Sequence, residues 1–244
     1  MKLRLLTLLL AVMTSVGVAA QDSATYVVER YLRMMAAERL PKDSLLVMQT
    51  TITFRPKADT VTMRRYYQAD GMMRIEVWQS DTLTFGLCTN GTTRYRRYSP
   101  VLGWWDDVSP DDFDNDLQPY DFRGPLYHWQ QRDIALSWVG HRTLDGHPMQ
   151  VVRADQDGRF TRLYFFDPNN GLPVLVLESE ELMEQKSHRK FIANPIDFKF
   201  FHEYQPIGES LVASEESFQR DSVLTIMRTT AHFEPRNNLL FNRD

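Results

Sequence analysis

After Pro41 the chain alternates apolar and polar residues with a period of two, and this pattern sets the fold class. The stretch YYQADGMMRIEVWQ at 66–79 is typical: two alternating segments meet at a short turn, and Met73, Ile75 and Val77 share one face of the second. Successive side chains of a β-strand point to opposite faces of its sheet, so each segment presents one apolar face. The pattern predicts a mainly β protein.

Short turn signals separate the alternating segments and predict antiparallel pairing. Sequences such as QADG, TNG and LDGH leave no room for a crossover, so neighbouring strands form a meander. Strand twist accumulates across a sheet of about a dozen strands, and we therefore expect the sheet to curl. The predicted strands are 46–54, 61–68, 72–79, 82–88, 92–98, 134–140, 148–155, 159–166, 173–179, 197–205, 210–218 and 222–233.

An amphipathic helix is predicted before the sheet, at 24–40. Val28, Tyr31, Leu32 and Met35 fall on one face of it at helical spacing, and Pro41 ends the segment. A sheet curled around this helix is the simplest arrangement that buries both apolar faces.

Two segments interrupt the alternation. Residues 99–133 hold four prolines and an acidic run from Asp106 to Asp121. A loop of this length inside a compact domain is usually functional, and we predict a long mid-chain loop that covers the open side of the sheet as a lid. Residues 180–196 are charged and predict a second short helix or a loop.

Residues 1–20 have the features of a secretory signal peptide. Lys2 and Arg4 precede an apolar run, and small residues end the segment, so we expect cleavage between Ala20 and Gln21. The run is shorter than the about 20 residues that span a bilayer. We therefore predict an exported protein. An all-β chain of this length commonly forms one domain, and we expect a single domain at 21–244. Without the two basic residues of the leader its net charge is −6, since the whole chain has 28 Lys and Arg against 32 Asp and Glu. This charge argues against a nucleic-acid binder.

Catalytic signatures are missing from the sequence, which has no G-x-S-x-G, no S-x-x-K, no CxxC and no Gly-rich phosphate loop. The six histidines lack metal-binding spacing. Asp112, Asp114 and Asp116 begin like a calcium loop, but Leu117 stands where that loop needs glycine. We predict no enzymatic activity, no cofactor and no metal. The alternative is a hydrolase that uses acidic residues of the long loop, namely Asp111, Asp112, Asp114 and Asp116.

One cysteine and two carboxylates on the predicted strands are not expected to take part in catalysis. Cys88 is the only cysteine, so no internal disulfide forms, and its place at the end of an apolar strand predicts a buried, inert thiol. Glu76 and Asp81 are expected to be exposed charges at strand ends.

Seven segments, in order along the chain, resemble motifs of one known family. They are Met73–Glu76, Asn90–Gly91 with Tyr95 and Ser99–Pro100, Phe122–Leu126, Trp138–Met149, Phe166–Pro168 with Gly171–Leu172, Glu203–Gly208, and Phe233–Glu234 with Asn237–Asn238 and Phe241. The sequence thereby resembles the LolA-like and LolB-like outer-membrane lipoprotein-sorting proteins. The resemblance implies an incomplete, half-open antiparallel β-barrel curled around the N-terminal helix, with a lid, which binds acyl chains in its hollow.

One set of apolar residues is predicted to line that hollow. Ordinary core packing is the alternative for each of them, but ligand pockets are lined mainly by apolar and aromatic groups, and methionine adapts to variable acyl chains. The predicted lipid-binding wall comprises Tyr31, Met35, Met73, Ile75, Val77, Leu83, Phe85, Leu87 and Tyr95.

The expected function is the handling of lipoprotein or lipid acyl chains in the periplasm, during sorting to the outer membrane. An envelope protein is a further possible partner, membrane contact is expected to be peripheral or transient at most, and we expect a monomer. The alternative on the same scaffold is a binding or sensor module of the envelope that does not transport lipid. An exposed aromatic patch that includes Trp104, Trp105 and Trp129 would favour that alternative.

Overall fold

The computed structural model describes residues 23–35, 39–91, 95–107, 120–156, 160–177, 198–220 and 223–242. Several predictions fall outside these ranges: the leader with its cleavage site at Ala20–Gln21, the acidic residues Asp111 to Asp116, and the segment 180–196. Within the ranges, no helix is both long and apolar enough to cross a membrane.

The described residues form thirteen strands and two helical segments. Helix α1 comprises residues 23–35, and the four-residue helix α2 is Leu239–Asn242. The strands are β1 Ser44–Arg55, β2 Asp59–Tyr67, β3 Met73–Gln79, β4 Thr82–Thr89, β5 Tyr95–Ser99, β6 Gly103–Asp107, β7 Ala135–Leu144, β8 His147–Gln156, β9 Phe160–Phe166, β10 Pro173–Leu177, β11 Phe198–Ile207, β12 Ser210–Arg220 and β13 Val223–Pro235.

The strands belong to one antiparallel sheet in the order β6-β5-β4-β3-β2-β1-β13-β12-β11-β10-β9-β8-β7. Every neighbour is also the next strand along the chain except at β1 and β13, which pair over twelve residue positions. Strands β6 and β7 end the order, so the sheet does not close into a full barrel. The predicted class is confirmed: mainly β, antiparallel and half-open, with an N-terminal helix.

Two elements differ from the sequence-based expectation. Strand β6 lies inside the predicted long loop, because Gly103–Asp107 pairs with β5 as a hairpin. Helix α2 lies in the C-terminal tail, for which no element was predicted. Neither element shows an alternating apolar pattern, since each is short and apolar residues are adjacent in it.

The chain divides into two compact units. The first contains the described parts of Met1–Met34 and His128–Phe198, and the second those of Met35–Tyr127 and Lys199–Asp244. The single domain at 21–244 stays a prediction.

In the first unit, helix α1 packs on β9 and on the turn that follows it. The ring of Tyr31 lies 5.8 Å from that of Phe166. The guanidinium of Arg30 donates to the carbonyl oxygens of Pro168 and Asn169, both at 2.8 Å. The same turn contains Gly171 at φ +75°, where an added Cβ would lie 2.9 Å from Nε of Arg30. The Tyr31 ring and the Arg30 guanidinium therefore hold the helix on the first unit.

In the second unit, the strands near β1 bury side chains on both faces. One face carries the buried residues Met48, Met63, Ile75 and Leu87 and is called here the apolar face. The opposite face carries Leu45, Val47 and Cys88, which pack against Phe241 of α2. It is called the tail face. The first half of β1 is therefore apolar at consecutive positions, as the run Leu45-Leu46-Val47-Met48 in the sequence requires.

Candidate functional site

Most of the predicted lipid-binding wall comes together on the apolar face of the second unit. Met73, Ile75 and Leu87 are buried in one cluster there. The register explains the grouping, because Ile75 is paired with Leu87 and cross-strand partners share a face. Three further predicted residues, Val77, Phe85 and Tyr95, pack against the cluster while remaining partly exposed.

Leu83 departs from the predicted wall because of a β-bulge. Val77 is paired with Phe85, but the register then shifts, and Trp78 is paired with Leu83. Trp78 lies on the tail face, so the bulge carries Leu83 to the face opposite Phe85. The extra residue of a bulge inverts the alternation that follows it. Strict period-two reading of β4 therefore misplaces this one residue.

The two predicted wall residues on helix α1 are both buried. Tyr31 lies in the first unit, where it packs on Phe166. Met35 lies at the last described position of the helix and is assigned to the second unit. Their contact with an acyl chain stays a prediction, as it does for the residues on the strands.

A hydrogen-bonded polar group, which was not predicted from the sequence, lies beside the apolar cluster. The Arg65 guanidinium donates to Oγ1 of Thr50 at 3.0 Å and to the carbonyl oxygen of Tyr120 at 3.2 Å. Oγ1 of Thr50 lies 2.8 Å from Oγ1 of Thr229 on β13. The signal was present in the sequence, since Arg65 occupies the face of β2 that also carries Met63 and Tyr67.

The described end of the mid-chain loop packs over this group. The ring of Phe122 lies 4.8 Å from that of Tyr67, edge to face, and the ring of Tyr120 lies 6.3 Å from that of Phe85. The Tyr67 hydroxyl donates to the Tyr120 carbonyl oxygen. Burial raises the pKa of Tyr67 to about 12, because the charged phenolate is poorly solvated there. Tyr67 is therefore a neutral donor that holds the loop.

The tail face carries a cluster of charged and aromatic side chains. Glu76 accepts from Nε of Arg74 at 2.8 Å and from Nε1 of Trp78 at 3.1 Å. The Arg74 guanidinium also donates to the Leu240 carbonyl oxygen at 2.7 Å and lies 4.6 Å from the ring centre of Trp104. The expectation that Glu76 is an exposed charge is wrong: it is buried and ion-paired.

A second candidate site is a groove in the first unit, with a volume of about 370 Å³. A bulge between Trp138 and Gly140 of β7 brings Trp138 and His141 together, with ring centres 5.3 Å apart and edge to face. The groove is open, and its aromatic side chains are accompanied by polar ones. Its lining residues are Ser23, Tyr26, Val27, Trp138, His141 and Gln150.

Within the described ranges we also looked for a metal site and a disulfide. These ranges contain no group of three or more His, Cys, Asp or Glu side chains that could hold a metal ion. Cys88 is buried and without a disulfide, as predicted. The candidate site is an apolar surface with one fixed polar group, formed by Arg65 and its acceptors.

Comparison with solved structures shows which known proteins share this fold. No protein-family model and no curated protein sequence matches the chain. Among solved structures it is similar to a LolA superfamily protein from Nitrosomonas europaea, with 10% identity, coverage of 89% of this chain and 96% of the other, and a TM-score of 0.57. It is also similar to a DUF1329 family protein from Desulfovibrio piger, with 12% identity, coverage of 90% and 97%, and a TM-score of 0.59.

A third similar structure is described as an outer membrane lipoprotein-sorting protein domain, from Vibrio parahaemolyticus. It has 13% identity, coverage of 88% of this chain and 97% of the other, and a TM-score of 0.55. At identities this low the comparisons show the fold alone. They confirm the resemblance stated from the sequence at that level: the chain has the fold shared by LolA superfamily and lipoprotein-sorting proteins.

Proposed function

We propose that this protein binds the acyl chains of a lipid or lipoprotein in the periplasm, on the apolar face of its second unit. The observation that carries the proposal is incomplete burial at the margin of that face. Val77, Phe85 and Tyr95 pack on a buried cluster yet stay partly exposed. Apolar side chains in this condition gain free energy when a ligand removes them from water. The shared fold supports the same function, since one similar structure is described as a lipoprotein-sorting domain.

The energy available from such a surface is sufficient for an acyl chain. Each buried methylene contributes roughly 0.8 kcal/mol, so a dozen methylenes contribute about 10 kcal/mol before ordering costs. No hydrogen-bonding machinery is needed for this. The cluster also contains Met48, Met63 and Met73, whose flexible side chains adapt to chains of different length.

The polar group beside the cluster also supports the proposal, because it holds the end of the mid-chain loop against the apolar face. Arg65 and Tyr67 both donate to the backbone of Tyr120, so the Tyr120 ring is held near Phe85. In this proposal the ring contributes to the acyl-binding surface. The protein is exported with its leader cleaved near Ala20, acts as a single-domain monomer and catalyses no reaction.

Lipid binding is testable on the purified mature protein. We expect mass spectrometry of gently purified protein to detect co-purified lipid, and a fluorescent fatty acid to be taken up. Phe85→Ala should weaken uptake by about tenfold, because one aromatic contact with the chain is lost. Leu83→Ala is the matched control, since it truncates the same strand two residues away on the opposite face, and its uptake should equal that of the wild type.

Two results would contradict the proposal. One is the absence of both co-purified lipid and fatty-acid uptake in correctly folded protein. The other is an equal effect of the Leu83 and Phe85 variants, which would show that uptake does not use the apolar face.

A second candidate function is a binding or sensor module, and the groove in the first unit favours it. Tyr26, Trp138 and His141 present exposed or half-exposed aromatic rings there. Interfaces and ligand sites are enriched in such side chains. Under this function, Trp138→Ala would abolish capture of an envelope protein from periplasmic extract and leave fatty-acid uptake unchanged. Loss of uptake without loss of capture would support the lipid-binding function instead.

A further inference from the structure

One wall of the groove in the first unit is the N-terminal part of helix α1. Ser23, Tyr26 and Val27 line it, and because Tyr26 and Val27 follow Ser23 by three and four residues, all three share one face of the helix. Val27 is 2% exposed and belongs to the core, whereas Tyr26 is 58% exposed. The Tyr26 ring is therefore available to a ligand beside a packed floor.

The other wall is shaped by the bulge in strand β7. The register on β8 shifts between Trp138 and Gly140, so Val139 is the extra residue. Without it, Trp138 and His141 would lie on opposite faces of the sheet, because they are three positions apart. With it the two rings share the groove, nearly perpendicular at 82°. Gly140 completes the bulge at φ +116°, which glycine reaches without strain.

The polar side chains of the groove have one chemical property in common: each can both donate and accept hydrogen bonds without carrying a charge. They are the hydroxyls of Ser23 and Tyr26, the imidazole of His141 and the amide of Gln150. Among the described residues that line the groove there is no Lys, Arg, Asp or Glu. The adjacent cation Arg142 donates instead to the carbonyl oxygen of His141 at 2.9 Å. An ionic ligand would therefore lack a counter-charge in this lining.

This combination of groups matches the chemistry of a sugar. Each sugar hydroxyl also donates and accepts hydrogen bonds, so it pairs with side chains of the same kind. A pyranose ring has a face of C–H groups, whose partial positive charge suits the negative face of an indole. The groove volume of about 370 Å³ lies near the lower end of the range for small-molecule sites, roughly 300–1,000 Å³, and suits one or two sugar rings.

We propose that the groove binds a neutral saccharide, with one pyranose ring stacked on Trp138 and its hydroxyls bonded to the polar lining. An acyl chain fits less well, because it would leave those polar groups without partners. A folded protein fits less well, because a stable interface needs about 800 Å² on each partner. The saccharide site goes beyond the acyl-binding function, which uses the apolar face of the second unit. It assigns a small ligand to the groove on which the second candidate function rests.

The test is isothermal titration calorimetry of the mature protein with cellobiose, maltose and N,N′-diacetylchitobiose. At least one of these neutral disaccharides should bind with a Kd below about 1 mM. Trp138→Ala should weaken that binding at least about tenfold, because the stacking face is lost. Trp129→Ala is the matched control: Trp129 is a half-exposed tryptophan of the same unit outside the lining, and its removal should leave the Kd unchanged.

Two further measurements examine the polar lining. Gln150→Leu keeps the approximate volume of the side chain and removes its hydrogen bonds, so binding should weaken at least about tenfold, since a sugar hydroxyl is left unpaired. Binding to the wild type should be unchanged in about 0.5 M salt, in which charge attraction is screened to roughly 4 Å.

A lipid-linked source of the saccharide is distinguished from a free one by flotation with vesicles that carry a diglucosyl-diacylglycerol. Flotation that free cellobiose reverses would assign the site to a glycolipid headgroup. Binding of the disaccharide without flotation would assign it to a free saccharide. Both results support a saccharide site.

No binding of any of the three disaccharides, or equal effects of the Trp138 and Trp129 variants, would overturn the inference. So would Trp138-dependent capture of an envelope protein together with no saccharide binding. In that case the second candidate function would stand with a protein partner. Fatty-acid uptake is measured in parallel on Trp138→Ala. Its retention when saccharide binding is lost separates failure of this site from failure of the acyl-binding function.

Discussion

The two faces of β2 and β3 each carry an arginine, and the two arginines differ in their hydrogen-bond acceptors: Arg74 is half-buried and Arg65 is buried. On the tail face, Arg74 pairs with the buried carboxylate of Glu76 at 2.6 Å. On the apolar face, Arg65 is buried with only neutral acceptors among the described residues, and its Nε has no hydrogen-bond partner there. The two side chains come from adjacent strands of one sheet. Among the residues that the structure describes, only Arg74 has a partner of opposite charge.

The two arginines therefore have different roles: Arg74 stabilises the fold, and Arg65 positions the loop at Tyr120. A buried charge with a charged partner is stabilised by that partner, and loss of either leaves an uncompensated charge. A buried cation with neutral acceptors costs desolvation energy without full return. Arg74 therefore contributes to holding the sheet and the tail together. Arg65 holds the Tyr120 backbone in place through its hydrogen bond. The desolvation of its charge lowers the stability of the folded protein, and other contacts in the unit offset this loss.

The largest expected effect is the loss of the carboxylate on the tail face. Glu76→Ala should lower the free energy of unfolding by about 3 kcal/mol, because Arg74 and the Trp78 indole lose their common acceptor. Urea unfolding measures this. Glu209→Ala is the control, since the Glu209–Arg39 pair is exposed and contributes at most about 0.5 kcal/mol. A Glu76 effect as small as that of Glu209 would remove the contrast between the faces.

The next effect is a pH dependence on the apolar face. The pKa of Tyr67 is about 12 in the folded protein and 10.0 in its ordinary state. The folded state therefore keeps a proton that the unfolded state loses, and the stabilisation is complete below pH 10 and lost as pH rises towards 12. Two pKa units correspond to about 2.7 kcal/mol.

Tyr67→Phe isolates that contribution. At pH 8 the variant should be about 1 kcal/mol less stable than the wild type, because one hydrogen bond to the loop is lost. Near pH 12 the variant should be the more stable of the two, because only the wild type loses stability as the tyrosine of its unfolded state ionises. Parallel stability curves for the two proteins from pH 8 to 12 would show that Tyr67 is not buried as described.

Steric contact on the tail face gives the third effect. Gly86→Ala should destabilise the protein by about 2 kcal/mol, because the new Cβ displaces the indole of Trp104. The same substitution in a Trp104→Phe background should cost about 1 kcal/mol less, since phenylalanine leaves room. Additive effects of the two substitutions in unfolding experiments would contradict this contact.

The smallest effect has the opposite sign. Arg65→Met should leave the free energy of unfolding unchanged or raise it by about 1 kcal/mol, because it removes a buried charge whose acceptors in the described part of the chain are all neutral. No acceptor is orphaned: Thr50 keeps Thr229, and the Tyr120 carbonyl keeps the Tyr67 hydroxyl. Arg74→Met is the matched substitution and should cost about 3 kcal/mol. Equal losses in the two variants would mean that both arginines act alike.

The sequence predicted the strands well because their alternation is local. All twelve predicted strands are present, and the described residues of α1, 23–35, fall within the predicted helix 24–40 except for Ser23. Strand β6 was missed because Gly-Trp-Trp-Asp-Asp has no alternation and forms a strand only when β5 pairs with it. Pairing is a property of two segments, and the pattern of one segment does not contain it.

The candidate site was predicted in part for the same reason. Ile75, Leu87 and their partners follow from alternation within β3 and β4. The displacement of Leu83 depends on a bulge that arises between the strands, and it was not predictable from β4 alone. Arg65 was visible as a charge at an apolar position, but its acceptors come from β1 and from the loop at Tyr120, 55 residues away.

The pairing of β1 with β13 has a consequence for how the chain reaches its native state. Thr50 and Thr229 are neighbours in space and 179 residues apart in sequence. The centre of the sheet therefore cannot form until the last strand has left the ribosome and, for an exported chain, crossed the inner membrane. Closing so long a loop is entropically costly and slow. Until it closes, both of these strands present unpaired edges to other chains, which makes this interval the one in which the protein most needs a chaperone.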